Sequence, residues 1–534
     1  MKSKLLIILS LALAIQTYAG SATWNLNPTS NDWNTAANWT PATVPNSSSD
    51  VATFGVSNTT SIAVTRFDYT SANIVFNPGA SAFTITAPGD SGLDFGSTGI
   101  TNNSGITQNF AAGPGGDDTS ELTFQGNATA GSGTVFTAYG GTSSVTTNAI
   151  SFSGGDAGTA TFHATGGVSG GEGGLVALSD GTLGAGTADS GTFIIDGAAG
   201  NNFHAGAFAR IDSSVTPPTT AGNATFTING APNAGGSGGT LEFGTFTNSH
   251  PTAGNATLIA NGGTGGGPGG AIMFNDSSTG GTARTELFGN GHLDIRYIQA
   301  TSLAIGSIEG TGSVILGAKN LSVGGNNLST VFSGTISGAS GSITKVGMGK
   351  LTFTNANSYV GGTIVTAGTL FVSNSTGSAT GTGPVQVTAG TLGGGGTVAG
   401  AVNLGTGSGM GAFLAPAAGT KVQATLTIQS GLTFNTDSTY TYTFKAKGNK
   451  AKTDKVVANG VTINNGATFN FSGTAQGTLA QGLVLAAISN TAATPIAGSF
   501  ANPADGAILT VGANHFQASY EGGDGNDLTL TVVP

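Results

Sequence analysis

No cysteine occurs among the 534 residues, and only 7% of them carry charge. The first shortage excludes a disulfide framework and any thiolate-ligated metal or iron–sulfur centre. The second excludes a solvated disordered chain, which needs high net charge and few apolar residues. Proline is scarce too: 16 prolines with 92 glycines make about 20% of the chain, below the range of low-complexity disorder, and no G-X-Y period runs through it. After Lys4 the next lysine is Lys319, and only Arg66, Arg210, Arg284 and Arg296 lie between. Nucleic acid is therefore not an expected partner, because phosphate binding needs a basic stripe. Helical periodicity is also missing, since no window of about 12 residues pairs an i, i+3, i+4, i+7 apolar stripe with helix-favouring residues.

What is present is glycine, threonine, serine and asparagine punctuating short strand-like runs, such as 51–54, 61–65, 73–77 and 82–86. Residues 1–22 read as a secretory signal: Lys2 and Lys4 precede a short apolar run over 5–15, and cleavage after Ala19 or after Ala22 both fit. No later stretch approaches ~18 apolar residues, so no membrane-spanning helix is expected in the mature chain. Loss of the signal leaves 13 basic against 25 acidic residues, a net charge of −12. The expected location is outside the cytoplasm, secreted or at a cell surface.

An internal repeat begins near residue 150. Ala157-Gly158-Thr159-Ala160-Thr161-Phe162 recurs at 221–226 and 253–258, a weaker copy fits 189–194, and a degenerate fifth lies at 280–285. The period of 32 places Phe162, Ile194, Phe226 and Leu258 in one large apolar slot. That pattern predicts an inward ladder in a solenoid, where each repeat buries its apolar side against the next. Farther on, Val-Thr-Ala-Gly-Thr-Leu occurs at 365–370 and 387–392, and two related strands lie at 426–435 and 461–470. Offsets of 22 to 35 favour stacked coils over propeller blades, which repeat at ~40–50. The predicted fold is all-β, a β-solenoid rod of roughly 70–120 Å.

The stretch 345–370 carries Lys345, Gly347, Gly349, Leu351 and Phe353, then Asn357, Tyr359, Gly361, Gly362 and Thr363, then Val365, Gly368 and Leu370. It closely resembles the autotransporter-associated β-strand repeat, whose pattern runs K-x-G-x-G-x-L-x-L, N-x-Y-x-G-G-T and V-x-x-G-x-L. Met348 and Ser358 stand where threonine is common. The resemblance implies a right-handed parallel β-helix exposed at a bacterial surface. True autotransporters end in a translocating barrel; here the repeats run nearly to Pro534, and no barrel is expected.

The expected division is a signal peptide over 1–22, a Trp-rich N-terminal cap over 23–60 and a solenoid with 32-residue repeats over 61–300. A second solenoid stretch follows over 301–474, with the repeat core at 345–370, and C-terminal strands over 475–534. Trp24, Trp33 and Trp39 are all the tryptophans of the chain. They read either as a lid over the first coil or as candidate glycan contacts, since an aromatic face suits sugar C–H groups. At the other end only Tyr520, an acidic turn and a final strand offer themselves, so the N-terminal lid is expected to be the more complete.

Few motifs carry chemistry. Gly407, Gly409 and Ala412 fit a nucleotide-loop spacing without a following helix, so no cofactor is expected. The five histidines, His163, His204, His250, His292 and His515, show no metal-pair spacing. Residues 522–527 resemble half of a calcium β-roll repeat, with Asp524 and Asp527 as weak calcium candidates and a tight turn as the preferred reading. Lys445, Lys447, Lys450, Lys452 and Lys455 crowd into 11 residues, either to steer an anionic polymer or as a solvated loop. Asp294 and Arg296, with Glu286 near in sequence, are the best local candidate for a polysaccharide lyase or hydrolase, and a plain ion pair is the simpler account. The expected function is a non-enzymatic exported structural or adhesion-type protein whose partner is a surface polysaccharide or another cell-surface component. The alternative is a carbohydrate-binding or polysaccharide-degrading β-helix.

Overall fold

Runs of three to seven alternating residues, separated by glycine and Asx turns, wind this chain into stacked coils. The computed structural model describes residues 20–65, 70–113, 119–143, 147–168, 170–181, 184–200, 205–245, 248–409, 411–418, 420 and 422–534. Residues 1–19 of the expected signal, Arg66 and His204 lie outside the described residues.

The fold is a parallel β-helix. One ladder of parallel strands runs from Val51–Phe54 through Glu121–Gln125 and Phe208–Ile211 to Thr335–Ser337. A second runs from Ser61–Ala63 through Thr225–Ile228 to Thr468–Gln476. Its eighteen described strands include one antiparallel hairpin partner, Lys450–Thr453, so seventeen lie parallel. At ~4.8 Å per step they span roughly 80 Å. The third side of each early coil is a single bridge, passing from Gly99 to Thr129, Asp156, Thr187, Thr220, Thr252 and Thr279. From Ser302–Ile305 onward this side widens into a full ladder ending at Val461–Ile463.

The corner beside that bridge repeats the same chemistry. Side-chain oxygens of Thr129, Asp156, Thr187, Thr220 and Thr252 each accept the backbone N–H two residues on, at 2.7–3.2 Å. The donor residue sits at positive φ, +58° at Gly158 and +57° at Gly222 and Gly254. In the intervening coil the position holds Asp189 at φ +42°, a residue that tolerates this region better than most.

That substitution explains a correction to the repeat register. The copy at 189–194 is really Ala188-Asp189-Ser190-Gly191-Thr192-Phe193, with aspartate in place of the turn glycine. Phe193, not Ile194, stands between Phe162 and Phe226 in the parallel pairing. The three rings stack at 4.8 and 4.4 Å and are fully buried. Ile194 pairs with His163 and Thr227 on the outer face and is half-buried. A one-residue slip in a period-2 strand reverses every side chain, so an averaged period of 32 misplaces a copy whose true offsets are 31 and 33. The stack extends upward through Phe136 and Phe110, and Leu258 continues it below.

Within the repeat at 345–370, Lys345 is 1% exposed. Its ammonium donates to the carbonyls of Val346 and Gly347 in its own turn and of Ala367 in the next coil. No described carboxylate pairs with it. The lysine thus ties two successive corners together through backbone acceptors alone. Burial pushes its pKa down to about 8.

Both ends are closed. At the N-terminal end Trp39–Thr40 pairs antiparallel with Ala22–Trp24, and Pro41 stops the strand after two residues. The C-terminal end is covered by more structure than the expected final strand, although Phe471, Leu509 and Val511 stay only partly buried there while the tryptophans are fully buried. Val484–Asn490 pairs antiparallel with Asp527–Val533, which pairs with Asn514–Gly522, which pairs with Ile508–Val511. Phe500 packs on Phe434 at 5.0 Å and Phe469 at 5.6 Å, and its N–H donates to the Tyr520 hydroxyl. The sequence signal was weak because the sealing rings, Phe500, Phe516 and Tyr520, are scattered singly along 20 residues.

Two outcomes follow. Phe193→Ala should cost roughly 3–5 kcal/mol through the cavity it opens, and Ile194→Ala about 1 kcal/mol or less, read from denaturant midpoints. Lys345 binds its proton more weakly folded than unfolded, where its pKa is about 10.4. This lysine should therefore make wild-type stability rise relative to Lys345→Met from pH ~8 toward pH ~10.4, with Lys345→Met the less stable at pH 7. Thermal melts of both proteins across this range check it.

Candidate functional site

The three tryptophans form the lid of the core and offer no face to a ligand. Trp24, Trp33 and Trp39 are each at most 2% exposed. Trp39 meets Trp24 and Trp33 edge-on at 5.0 and 4.9 Å, and all three rest on Phe54 at 5.7–6.4 Å. Each indole N–H is spent on a backbone carbonyl: of Thr59, Pro45 and Trp33 respectively. The reading of these residues as glycan contacts is set aside on that burial.

The glycine-rich loop at 405–409 is filled from within. The Asp437 carboxylate, one coil on, accepts N–H groups from Thr406, Gly407 and Gly409 at 2.7–3.1 Å. Burial pushes its pKa up, but these donors outweigh it and hold the carboxyl below its usual range. The loop binds an anion, and that anion is the chain's own. Ala412 begins the strand Ala412–Ala415, so the expected absence of a helix after this loop is observed.

Asp524 is exposed in a turn between the last two strands, and Asp527 accepts the Asn490 N–H at 2.8 Å. Among the described residues no group of three or more His, Asp or Glu could hold a metal ion. His163 serves a polar ladder on the outer face. Its Nε2 lies 2.6 Å from Asp196, which accepts from Asn229, which accepts from Asn261. The hydrogen bond to Asp196 raises the His163 pKa.

Asp294 and Arg296 form a two-pronged ion pair, with Nη2 to Oδ2 at 2.7 Å and Nε reaching both oxygens. Asp294 is 3% exposed. Glu286 lies on the second ladder, tied to Arg284 at 3.2 Å, while Asp294 lies on the first. The structure does not gather these residues into one groove.

One candidate does assemble. Ser438–Lys447 and Lys450–Thr453 form a hairpin around Gly448 and Asn449, with Gly448 at φ +59°. Glycine first in a two-residue turn suits this geometry. Lys445 stands directly opposite Lys452, and Lys447 opposite Lys450. On the other side of the same strand Lys445 neighbours Thr474 and Lys447 neighbours Gln476. Phe444 and Ala446 alternate with the lysines and are buried. The four lysines, Thr474 and Gln476 line a groove of about 900 Å³ together with Leu483, Val484 and Ala486. Lys455 falls outside it, half-buried in Lys455–Ala458. Asp454, the only acid in the lysine-rich segment, is fully buried and accepts N–H groups of Ala424 and Thr443. Thr474 and Gln476 escape sequence reasoning because they join the groove from a strand some 30 residues away, and Leu483 because it lies farther on, before Val484–Asn490.

The solved structure of the Haemophilus influenzae Hap adhesin is similar at a TM-score of 0.30 and 11% identity, covering 91% of this chain and 59% of that one. This chain therefore spans less than two thirds of that adhesin's length. No curated protein matches it. Residues 343–372, the stretch that contains Lys345, match the family described as Passenger-associated-transport-repeat, and this stretch lies within the parallel β-helix.

Proposed function

We propose that this protein is an exported, non-enzymatic β-solenoid of a bacterium that acts at the cell surface or in the surrounding matrix as an adhesion-type structural rod. The observation that carries the reading is the passenger repeat set in an unbroken stack of parallel coils. The engagement of the carboxylates beside the arginines and in the glycine-rich and lysine-rich segments supports the non-enzymatic part. Asp294 is spent on Arg296, Glu286 and Glu309 on Arg284, Glu242 on Arg210, and Asp437 and Asp454 on backbone N–H groups. Hydrolysis or elimination on a sugar needs a free acid and base converging on one bond.

Export also bears on the start of the mature chain. Ala22 is buried and pairs with Ala52, and the Ser21 hydroxyl accepts the Val51 N–H. Cleavage after Ala19 preserves these contacts, whereas cleavage after Ala22 removes them. Mass spectrometry of the secreted protein should find Gly20 first; a start at Thr23 would refute this choice. Antibody to the purified chain should label intact cells, and the chain should release no product from acidic or neutral polysaccharides. Labelling only after lysis would overturn the surface reading, and product release the non-enzymatic one.

A further inference from the structure

The hairpin groove breaks a rule that the rest of the rod obeys. Elsewhere among the described residues the arginines are paired with acids, Lys345 is buried, Lys455 is half-buried in its strand, Lys319 donates to the Ala300 carbonyl and Lys350 lies over the Phe371 ring. Here two pairs of lysines face each other across strands, an arrangement that opposes folding. Lys447, Lys450 and Lys452 pair with no described carboxylate. Lysine on an edge strand is a known guard against edge-to-edge pairing. That accounts for Lys450 and Lys452 on the outer strand of the hairpin. It does not account for Lys445 and Lys447, whose strand is paired on both sides.

We propose that this groove is a binding site for an acidic polysaccharide. Its lysines form a grid of about 5 Å across the strands and about 7 Å along them. Two rows of point charges suit a polymer with successive carboxylate or sulfate groups better than one small anion, which is held by an arginine fork or a nest of N–H groups. Thr474, Gln476 and Asn449 supply hydrogen bonds for hydroxyls, and Leu483, Val484 and Ala486 an apolar wall for C–H faces. Among the described residues no aromatic side chain lines the groove, so these residues offer no stacking platform of the kind single-stranded nucleic acid uses. In a chain of net charge −10 this local reversal of sign marks where an anion can approach. The proposal deepens the adhesive reading above, and rests on it for where the ligand is met.

The test titrates the full mature chain with dextran sulfate and polygalacturonate, with neutral dextran, polyglutamate and oligo-dT for comparison. Both acidic polysaccharides should bind, more weakly as salt rises, and neutral dextran should not. The triple variant Lys447→Gln, Lys450→Gln, Lys452→Gln should lose about tenfold or more in affinity. Lys319→Gln with Lys350→Gln should bind as wild type. Bound polysaccharide should also protect Lys447 and Lys450, but not Lys319, from acylation in the unaltered protein, which needs no variant to fold. Undiminished binding by the triple variant, or no protection, overturns the site. Equal affinity for polyglutamate or oligo-dT overturns the assignment to a polysaccharide. A chain that binds here yet is absent from cell surfaces refutes the adhesive reading alone.

Discussion

Every coil of this rod can bury its apolar side only against the same side of the next coil, so the vertical stack of inward side chains governs the rest. Phe110, Phe136, Phe162, Phe193 and Phe226 form one column at 4.4–5.1 Å spacings. Near-parallel rings, within 16° of each other, are what identical rotamers on strands ~4.8 Å apart must give. The same stacking acts on the outer face with the opposite sign. Parallel pairing puts like positions one above another, so a charge repeated in each coil would form a column of self-repulsion. The scarcity of charge is thus a consequence of the fold. Thr, Ser and Asn take the outward positions, as in the Asp196, Asn229, Asn261 ladder.

At several places on the shaft, charges are neutralised by their neighbours. Arg210 lies in register beside Glu242. Glu286 and Glu309 are like charges in register, and Arg284 bridges both at 3.2 and 2.5 Å. Exposed pairs of this kind contribute little to stability singly. Their role is to remove a local penalty. Against those pairs the facing lysines of the hairpin stand out, because like charges are set directly opposite each other across two strands.

The fold was largely legible in the sequence because stacking demands repetition. The period, the turn glycines and the strand alternation are one constraint seen three times. What was lost was resolution at single residues. The aspartate at 189 disguised a turn and moved the expected apolar slot from Phe193 to Ile194, a slip that only the pairing register corrects. The tryptophans were legible as a cluster, but exposure is not written in composition, and their burial removes the glycan reading. Of the five clustered lysines, sequence could not tell the four on one hairpin face from Lys455, because that needs the strand pairing. The long-range partners Thr474 and Leu483 had no local signal.

The two ends show how a repetitive stack is made finite. A parallel coil leaves unpaired N–H and C=O groups on its last strand, and another copy could pair with them. This chain changes strand direction at both ends instead. At the first coil a two-residue antiparallel strand is cut short by Pro41, and three indoles replace the missing core neighbour. At the last, an antiparallel meander takes over from the parallel ladder, and Phe500, Phe516 and Tyr520 fill the space where the next coil's column would stand. Reversal suits this task because an antiparallel pair needs only a short turn, whereas another parallel strand needs a whole coil. The hairpin that carries the lysines is another reversal, set beside the last strand of the second ladder. It projects a short antiparallel strand beyond the coil outline, so it can host side chains that the stacked shaft does not tolerate.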